Sequence, residues 1–382
     1  MKWKNFAFIE PGKQFPEKRG MKKRLRRAAG VYVLSSNIRL PLKYPEHTGN
    51  HNNLHNDPEY HLHGTHGASS LSILHWESIA MAPLSCFRLA LLLLCACCWP
   101  SLALRAPVSV RCPDPSDCTS ALQLALDAGS PLRLSAPGPF ITRMLHVTRS
   151  DVSIECDPGV LLLAKRWHYN ATGDSLLTVS NAKNFAITGC TLRMWRDDYA
   201  NPLWYKKGEW RMALSLLNVS AAFISNCSFE ESGGDGLYLG GTCNEDIVLR
   251  GSAFKGNYRQ GLSVICCERL AVNDCTFEDT RGTNPQCGVD FEPDTPQQRL
   301  INVSFSNTKF RNNSGCQIAI STYALTSNST PISIFFQETS ASVTDGYGIL
   351  ISIPHSPAAD SYITFVDTNV SDSSKVLQRS YP

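Results

Sequence analysis

The sequence has little charge, no long apolar run and few metal-binding spacings. Only 18% of its 382 residues are charged and the net charge is +3, which excludes a strongly basic nucleic-acid binder. Hydrophobic residues make up 43%, so the chain is not compositionally disordered. The apolar run that starts at Leu89 covers about 16 residues even when extended to Leu104, short of the ~20 that a membrane-spanning helix needs. After residue 103 there are three His and no C-x-x-C pair, which argues against zinc.

Charge divides the chain near residue 103. Residues 1–103 hold 13 Lys/Arg and 6 Asp/Glu, whereas residues 104–382 hold 23 and 27. Residues 81–103 begin at Met81, continue through the apolar run and end in a small-x-small cleavage site at Ala103, which predicts a secretory signal peptide, with a membrane anchor as the alternative. Residues 1–80 lie upstream of that signal, and we interpret them as a disordered extension of the gene model.

Glycosylation motifs and cysteines support secretion into the extracellular space. Seven N-x-S/T sequons follow the predicted cleavage site and none precedes it. Eleven Cys lie after residue 103, which suits an oxidising compartment, and the odd number leaves at least one thiol free or paired with another chain. The candidate glycosylation sites are Asn170, Asn218, Asn226, Asn302, Asn312, Asn328 and Asn369.

One strand pattern returns along the chain and predicts the architecture. Phe185-x-Ile187-x-x-Cys190-x-Leu192 recurs four times, and a second strand follows each later copy, as in Gly236–Leu239 and Gly261–Val264. Strands this short cannot bury a face alone, so the repeats must stack on one another. The prediction is an all-β fold, a parallel β-helix over residues 151–353, with a β-sandwich as the alternative.

The flanking segments are expected to close the two ends of this solenoid. Residues 104–150 contain a helical pattern at Thr119–Ala128, which predicts a short amphipathic cap at the N-terminal end. Residues 354–382 are rich in Ser and Asp, with a weak strand at Tyr362–Val366, and are predicted to form a C-terminal cap or tail.

Two disulfides are expected from spacing. Cys190 and Cys227 occupy equivalent places in adjacent coils, and ~4.8 Å lies within the Cα separation that a disulfide allows. Cys112 and Cys118 are expected to close a small loop.

Four segments resemble the right-handed parallel β-helix proteins of the pectin-lyase-like superfamily, over about Val152–Ile353. That resemblance implies the fold and a choice among polysaccharide lyases, glycoside hydrolases, uronate C5-epimerases and non-catalytic binding proteins. The G-H-G and R-I-K motifs of polygalacturonase-like hydrolases and the D-P-H-D motif of alginate epimerases are absent, so the resemblance does not select one activity. The segments are Tyr205–Leu214, Glu231–Gly241, Asn257–Ile265 and Gly282–Asp294.

Alternation along the strands predicts one polar outer face. With the aliphatic residues turned inward, the outward column comprises Tyr238, Ser263 and Asp290. Alternate residues of one strand lie ~7 Å apart on one face, so Glu292 joins Asp290 there. The candidate catalytic residues of this face are Asp235, Arg259, Asp290 and Glu292, and Tyr238 is a candidate for substrate binding.

This face suits sugar chemistry in two ways. Two carboxylates ~5–9 Å apart can act as acid and base or nucleophile in glycoside hydrolysis. Alternatively, Asp290, Glu292 and Asp294 could hold Ca²⁺ while Arg259, a Lys or Tyr238 abstracts a proton from a uronate.

An aromatic loop at residues 194–212 lengthens one coil and is expected to form one wall of a cleft, because sugars stack on aromatic rings. A lid that packs down on the coils is the alternative.

We therefore predict a secreted protein that acts on an extracellular polysaccharide as a lyase, hydrolase or epimerase, with a non-catalytic carbohydrate-binding or adhesive ectodomain as the alternative. Its partner is a glycan, and nucleic acid is not expected. The candidate substrate-binding residues of the loop are Trp204, Tyr205, Lys206, Lys207, Trp210 and Arg211.

Overall fold

The repeated strands stack into three parallel sheets, which confirms the predicted right-handed parallel β-helix. The computed structural model describes residues 32–34, 38–41, 107–135, 137–206, 208–354 and 358–381. Each coil contributes one strand to each sheet, and equivalent residues of successive coils are hydrogen-bonded neighbours. Phe185 pairs with Ala222, Ala222 with Ile247, and Ile247 with Leu270, in the register that the repeat predicts.

Sheet A consists of short strands, most of them three residues long. Its strands, in chain order, are β1 (Tyr32–Leu34), β5 (Phe140–Thr142), β8 (Leu161–Ala164), β11 (Thr191–Arg193), β14 (Ser228–Glu230), β17 (Ala253–Lys255), β20 (Thr276–Glu278), β23 (Lys309–Arg311), β26 (Ser340–Ser342) and β29 (Thr368–Val370).

Sheet B carries the first strand of the repeat. Its strands are β2 (Ile38–Pro41), β3 (Val108–Ser109), β4 (Leu132–Leu134), β7 (Ser153–Cys156), β10 (Lys183–Thr188), β13 (Ser220–Ser225), β16 (Asn244–Arg250), β19 (Cys267–Asn273), β22 (Leu300–Ser306), β25 (Ser333–Gln337) and β28 (Tyr362–Val366).

Sheet C carries the second strand of the repeat and positions the candidate site. Its strands are β6 (Leu145–Val147), β9 (Leu177–Ser180), β12 (Leu214–Leu217), β15 (Asp235–Gly240), β18 (Gln260–Val264), β21 (Cys287–Phe291), β24 (Cys316–Ser321), β27 (Tyr347–Pro354) and β30 (Val376–Tyr381).

Aromatic rings fill the interior of the coils. Phe229, Phe254, Phe277 and Phe310 occupy equivalent positions of sheet A, and each is almost completely buried. Their rings stack with centroid separations of 5.0, 4.6 and 4.8 Å. The coil spacing therefore matches the distance at which aromatic rings stack, so the phenylalanine stack continues from coil to coil.

The predicted N-terminal helix is present with the expected bounds. Helix α1 (Thr119–Ala128) buries Leu122 and Leu126 against the core and leaves Leu124 exposed. It ends at Gly129, whose φ of 66° is the left-handed conformation that favours glycine at a helix end. A four-residue helix, α2 (Arg196–Tyr199), lies in the aromatic loop, and a 3₁₀ turn covers Ser373–Lys375.

The coil extends beyond the bounds expected from sequence. Residues 108–147 already supply strands to all three sheets, and residues 362–381 add another strand to each, so both flanks are coils rather than separate caps. Within residues 1–80, predicted to be disordered, β1 pairs antiparallel with β29 and β2 with β28. The signal peptide predicted at residues 81–103 lies outside the described residues.

The disulfide pattern corrects one of the two predicted pairs. Cys112–Cys118 is confirmed, but Cys190 pairs with Cys156 of the preceding coil, and Cys227 is a buried free thiol. Every position in a solenoid has a neighbour one strand spacing away on both sides, so spacing alone could not choose the direction. The other pairs in the described chain are Cys243–Cys266 and Cys287–Cys316, and the other free thiols are Cys267 and Cys275.

In the described part of the chain, no helix is long and apolar enough to cross a membrane.

The phenylalanine stack predicts a large stability difference between two substitutions. Phe254→Ala removes a ring held between Phe229 and Phe277, and we expect it to lower the free energy of unfolding by about 3–5 kcal/mol. Leu124→Ala, at a side chain that is 73% exposed, is the control and should change it by less than about 0.5 kcal/mol. Urea unfolding of both variants checks this, and equal losses would contradict the stacked core.

Peptide mapping under non-reducing conditions tests the disulfide assignment. Cys190→Ser should release the Cys156 thiol for alkylation and lower the free energy of unfolding by about 2–4 kcal/mol, because one cross-link between coils is lost. Cys227→Ser should leave the Cys156–Cys190 peptide intact. A cross-linked peptide joining Cys190 to Cys227 would refute the assignment.

Candidate active site

Two rows of side chains cross the outer face of sheet C. Asp235, Gln260 and Cys287 are register neighbours at the start of β15, β18 and β21. Three residues further along, the second row comprises Tyr238, Ser263 and Asp290, as the alternation predicts. Both rows bring polar groups of three successive coils into contact.

A glycine beside the first row explains why Asp235 faces outward. A Cβ atom at Gly236 would lie 3.1 Å from Cδ1 of Phe254 in the core and 2.8 Å from the carbonyl oxygen of Gly261. This position therefore faces the interior and leaves no room for a side chain. The preceding residue, Asp235, points to the outer face, where it meets the Arg259 guanidinium.

Arg259 lies at the centre of the cluster. Its Nη2 donates to Oε2 of Glu292 at 2.7 Å, and its Nη1 lies 3.5 Å from Oδ2 of Asp235. The same Nη1 donates to Oγ of Ser263 at 3.4 Å. The guanidinium thus joins two carboxylates from two coils, which draws the predicted catalytic residues together.

Asp290 is held by a different partner. Nε2 of Gln260 donates to Oδ2 of Asp290 at 3.0 Å. Asp235 and Asp290 are 0% and 1% exposed, while the Glu292 side chain keeps 16% of its surface. Three oxygens of this buried group make no hydrogen bond with another described residue: Oδ1 of Asp235, Oε1 of Gln260 and Oδ1 of Asp290. Such groups are costly unless a polar partner reaches them.

Burial changes the protonation of the two aspartates. Desolvation raises the pKa of Asp235 to about 6, against the opposing attraction of Arg259. Desolvation and the nearby Glu292 carboxylate raise the pKa of Asp290 to about 8, again against Arg259. Asp290 therefore holds its proton at neutral pH, next to the salt-bridged pair of Arg259 and Glu292.

Two of the bases proposed for proton abstraction, Arg259 and Tyr238, are not suited to it. Desolvation alone would lower the pKa of Arg259, but the carboxylates of Asp235, Glu292 and Asp290 raise it overall. Burial raises the pKa of Tyr238 to about 12. A base must be deprotonated to act, so the raised pKa of Arg259 disfavours its predicted role as a base, and its contacts are those of a positioning residue.

The carboxylates predicted to hold calcium are not drawn together as a metal-binding group. Within the described residues, no group of three or more His, Cys, Asp or Glu side chains is arranged to hold a metal ion. Glu292 is engaged by Arg259, Asp290 is buried beside Gln260, and Asp294 is exposed in the loop that follows β21. A guanidinium, rather than a cation from solution, balances these charges.

The aromatic loop is partly packed down. Tyr205 is buried and stacks on Trp167 at 5.7 Å, and Arg211 is fully buried, where it donates to the carbonyl oxygens of Tyr169 and Lys206. These contacts exclude the predicted substrate-binding roles of Tyr205 and Arg211, because both side chains hold the loop together.

The rest of the loop remains accessible. Trp204 and Trp210 keep 50% and 42% of their surface, and Lys206 is exposed, whereas Lys207 lies outside the described residues. Near its end, Oε2 of Glu209 accepts a hydrogen bond from Thr283 at 2.9 Å, and its carboxylate adds to the pKa elevation of Asp235. The loop thus reaches the edge of the cluster.

Two aromatic residues near these features escaped the sequence analysis. Trp167 is half-exposed and contacts Trp204 at 5.4 Å. The pKa of Tyr323 is raised by burial and by the carboxylates of Glu292, Asp294 and Asp290, so Tyr323 lies beside the cluster. By the register that pairs Phe291 with Ile320, Tyr323 occupies the position of Asp294 one coil further on, and this equivalence was the available signal.

Comparison with known proteins agrees with the fold. Residues 168–329 match the family model described as a right handed beta helix region, in agreement with the three stacked sheets. None of the curated protein sequences matches the chain significantly.

Several solved structures are similar at low identity. Pectin methylesterase PemA from Erwinia chrysanthemi is 16% identical with a TM-score of 0.39, covering 60% of this chain and 80% of its own. An exopolygalacturonase from Thermotoga maritima is 13% identical with a TM-score of 0.38, covering 66% and 87%. The Dettilon tailspike protein is 10% identical with a TM-score of 0.44 over 64% of this chain, which spans 45% of the tailspike chain.

The raised pKa of Asp290 predicts a pH-dependent stability. A carboxyl whose folded pKa exceeds its unfolded value stabilises the fold below the unfolded pKa, and this contribution is lost as the pH rises through the folded value. The free energy of unfolding should therefore fall between about pH 4 and pH 8, and Asp290→Asn should flatten that slope. Urea unfolding across this range checks it. Asp345→Asn, at an exposed carboxyl, should keep the wild-type slope, and an unchanged slope in Asp290→Asn would contradict the assignment.

Proposed function

We propose that the outer face of sheet C hydrolyses glycosidic bonds of an extracellular polysaccharide, with Asp290 as the proton donor. The observation that carries this proposal is the buried group of Asp235, Gln260 and Asp290, each with one oxygen that makes no hydrogen bond to another described residue. Substrate hydroxyl groups and a glycosidic oxygen are polar partners of the kind that these atoms lack.

The chemistry follows from the different surroundings of two carboxyls at the end of β21, Asp290 within the strand and Glu292 directly after it. Asp290 has a pKa raised to about 8, so it can protonate a leaving oxygen at neutral pH. Glu292 forms a salt bridge with Arg259 and supplies the second carboxylate, to activate water or to attack the sugar. Alternate residues of a strand lie ~7 Å apart, which suits a carboxyl pair flanking a glycosidic bond.

Hydrolysis is favoured over lyase or epimerase chemistry. Both alternatives begin with removal of a proton from carbon and need a group that is deprotonated near neutral pH. The raised pKa values of Arg259 and Tyr238, two of the three predicted kinds of base, make both poor bases. Arg259 also already serves two carboxylates, which weakens it as a binder of a uronate.

A polymeric glycan suits the surroundings of the cluster. Substrate would approach past Glu292 and Tyr238, the more exposed members, with Tyr323 alongside. The exposed rings of Trp204 and Trp210 offer stacking surfaces for sugars. The net negative charge of residues 104–382 disfavours nucleic acid, and the four disulfides among the described residues support a secreted protein.

A non-catalytic glycan-binding ectodomain is the second candidate. The near-complete burial of Asp235 and Asp290 favours it, because a carboxyl that substrate cannot reach acts only on the fold. In that case the exposed tryptophans would hold a glycan without turnover.

An assay with two readouts tests the proposal. The secreted protein is incubated with uronate-containing and neutral polysaccharides, and new reducing ends and unsaturated ends are followed together. We expect reducing ends alone, and a loss of about 10²–10⁴-fold in rate for Asp290→Asn and for Glu292→Gln. Glu245→Gln, at a half-exposed carboxylate of sheet B, is the control and should retain the rate.

Two other outcomes of this assay would contradict the proposed hydrolysis. Unsaturated ends would establish a lyase and refute hydrolysis. Silence in both readouts, together with glycan binding that survives Asp290→Asn, would establish the binding ectodomain instead. Thermal unfolding of each variant separates loss of activity from loss of fold.

A further inference from the structure

The outer face of sheet B carries a depression. The candidate active site lies on a different sheet, sheet C. The volume of the depression is about 350 Å³, and it is lined by Phe223, Val248, Arg250, Asn273, Asp274 and Ser306. The Phe223 ring is 43% exposed and so offers an apolar surface to a ligand. An apolar ring surrounded by hydrogen-bonding groups fits the mixed apolar and polar surface of a sugar.

The sequon residue Asn226 adjoins this depression. It follows Phe223 by three residues, at the turn after β13, and is itself exposed. Backbone hydrogen bonds connect the same turn of successive coils: Asn226 donates to the carbonyl oxygen of Arg250, and Gly251 donates to that of Asn273. Asp274, which lines the depression, follows in this ladder, about two strand spacings or ~10 Å from Asn226.

Glycine on both sides leaves the Asn226 amide open. Gly189 precedes Asn226 in the ladder and Gly251 follows it, so neither neighbouring coil offers a side chain at this position. A Cβ atom at Gly251 would lie 2.6 Å from Oδ1 of Asn226, so only glycine leaves this space free. Among the described residues, Nδ2 of Asn226 has no hydrogen-bond partner.

Three other sequons differ in this respect. Nδ2 of Asn218 donates to Oδ1 of Asn181 at 3.0 Å, and Nδ2 of Asn312 donates to Oδ1 of Asp279 at 2.6 Å. Nδ2 of Asn170 donates to the carbonyl oxygen of Trp167, whose ring is already stacked on Tyr205. Asn226 therefore combines an unengaged amide nitrogen with a free aromatic surface three residues away.

We propose that Asn226 carries an N-linked glycan whose first N-acetylglucosamine lies in this depression, with its apolar face on the Phe223 ring. Attachment forms a bond between Nδ2 of Asn226 and C1 of the sugar, taken from a lipid-linked oligosaccharide diphosphate. The bond from C1 to the diphosphate oxygen breaks, the diphosphate leaves with that electron pair, and the amide nitrogen loses one proton. The sugar then covers the ring, while its polar groups face Arg250 and Asp274.

The full chain, secreted from cultured cells that perform N-glycosylation, provides the test. Peptide mass spectrometry measures occupancy at Asn226, and thermal unfolding is compared before and after enzymatic removal of glycans. We expect Asn226 to be occupied, and deglycosylation to lower the midpoint of the wild type by about 2 °C more than that of Phe223→Ser. Phe335→Ser removes a half-buried ring from the same outward column of sheet B, where no sequon follows, and should respond as the wild type does.

A double-mutant cycle separates the ring's own contribution from its contact with the sugar. In the Asn226→Gln background, Phe223→Ser should no longer change the response to deglycosylation. An unoccupied Asn226 would overturn the proposal, and so would an equal response of the wild type and Phe223→Ser. Neither result bears on the glycosidase assay, which concerns sheet C.

Discussion

The register between successive coils is the constraint on which the rest of the structure depends. Each residue has an equivalent one strand spacing away, so identical or complementary side chains form continuous rows. Inside the coil, the rows are phenylalanines at stacking distance. Outside it, the same geometry places Asp235 beside Gln260, and Ser263 beside Asp290. A polar cluster drawn from residues far apart in sequence thus needs no special loop to assemble it.

Within that cluster, burial and charge oppose one another. Desolvation favours protonated aspartates, whereas the Arg259 guanidinium favours ionised ones, and desolvation prevails at Asp290. Arg259 instead stabilises Glu292, which lies closest to it. Two carboxyls at the end of β21 consequently differ in their partners and surroundings, and this difference is what acid–base chemistry requires. Without Arg259, three buried or half-buried carboxyls would lie together with no compensating charge.

The fold and the composition of the site could be predicted, but the contacts within them could not. Periodicity identified the strands, their register and the column of Tyr238, Ser263 and Asp290, because stacking leaves one consistent alignment. It led to Cys227 as the partner of Cys190, whereas the disulfide joins Cys190 to Cys156, because both cysteines lie in neighbouring coils. It also treated Arg211 as a surface residue, because a long charged side chain is rarely buried unless backbone carbonyls receive it, as they do here.

The sequence by itself determined the coil, its register and which residues share its outer face, because these follow from local alternation and from a repeat of about one coil length. Tertiary structure decided how far each group is buried and which partner it takes, since burial depends on loops from other coils that cross the face. The roles of Arg259 and Tyr205, the protonation of Asp290 and the open amide of Asn226 all depend on such neighbours. These neighbours have no fixed spacing in the sequence, so the repeat pattern cannot predict which residues they are.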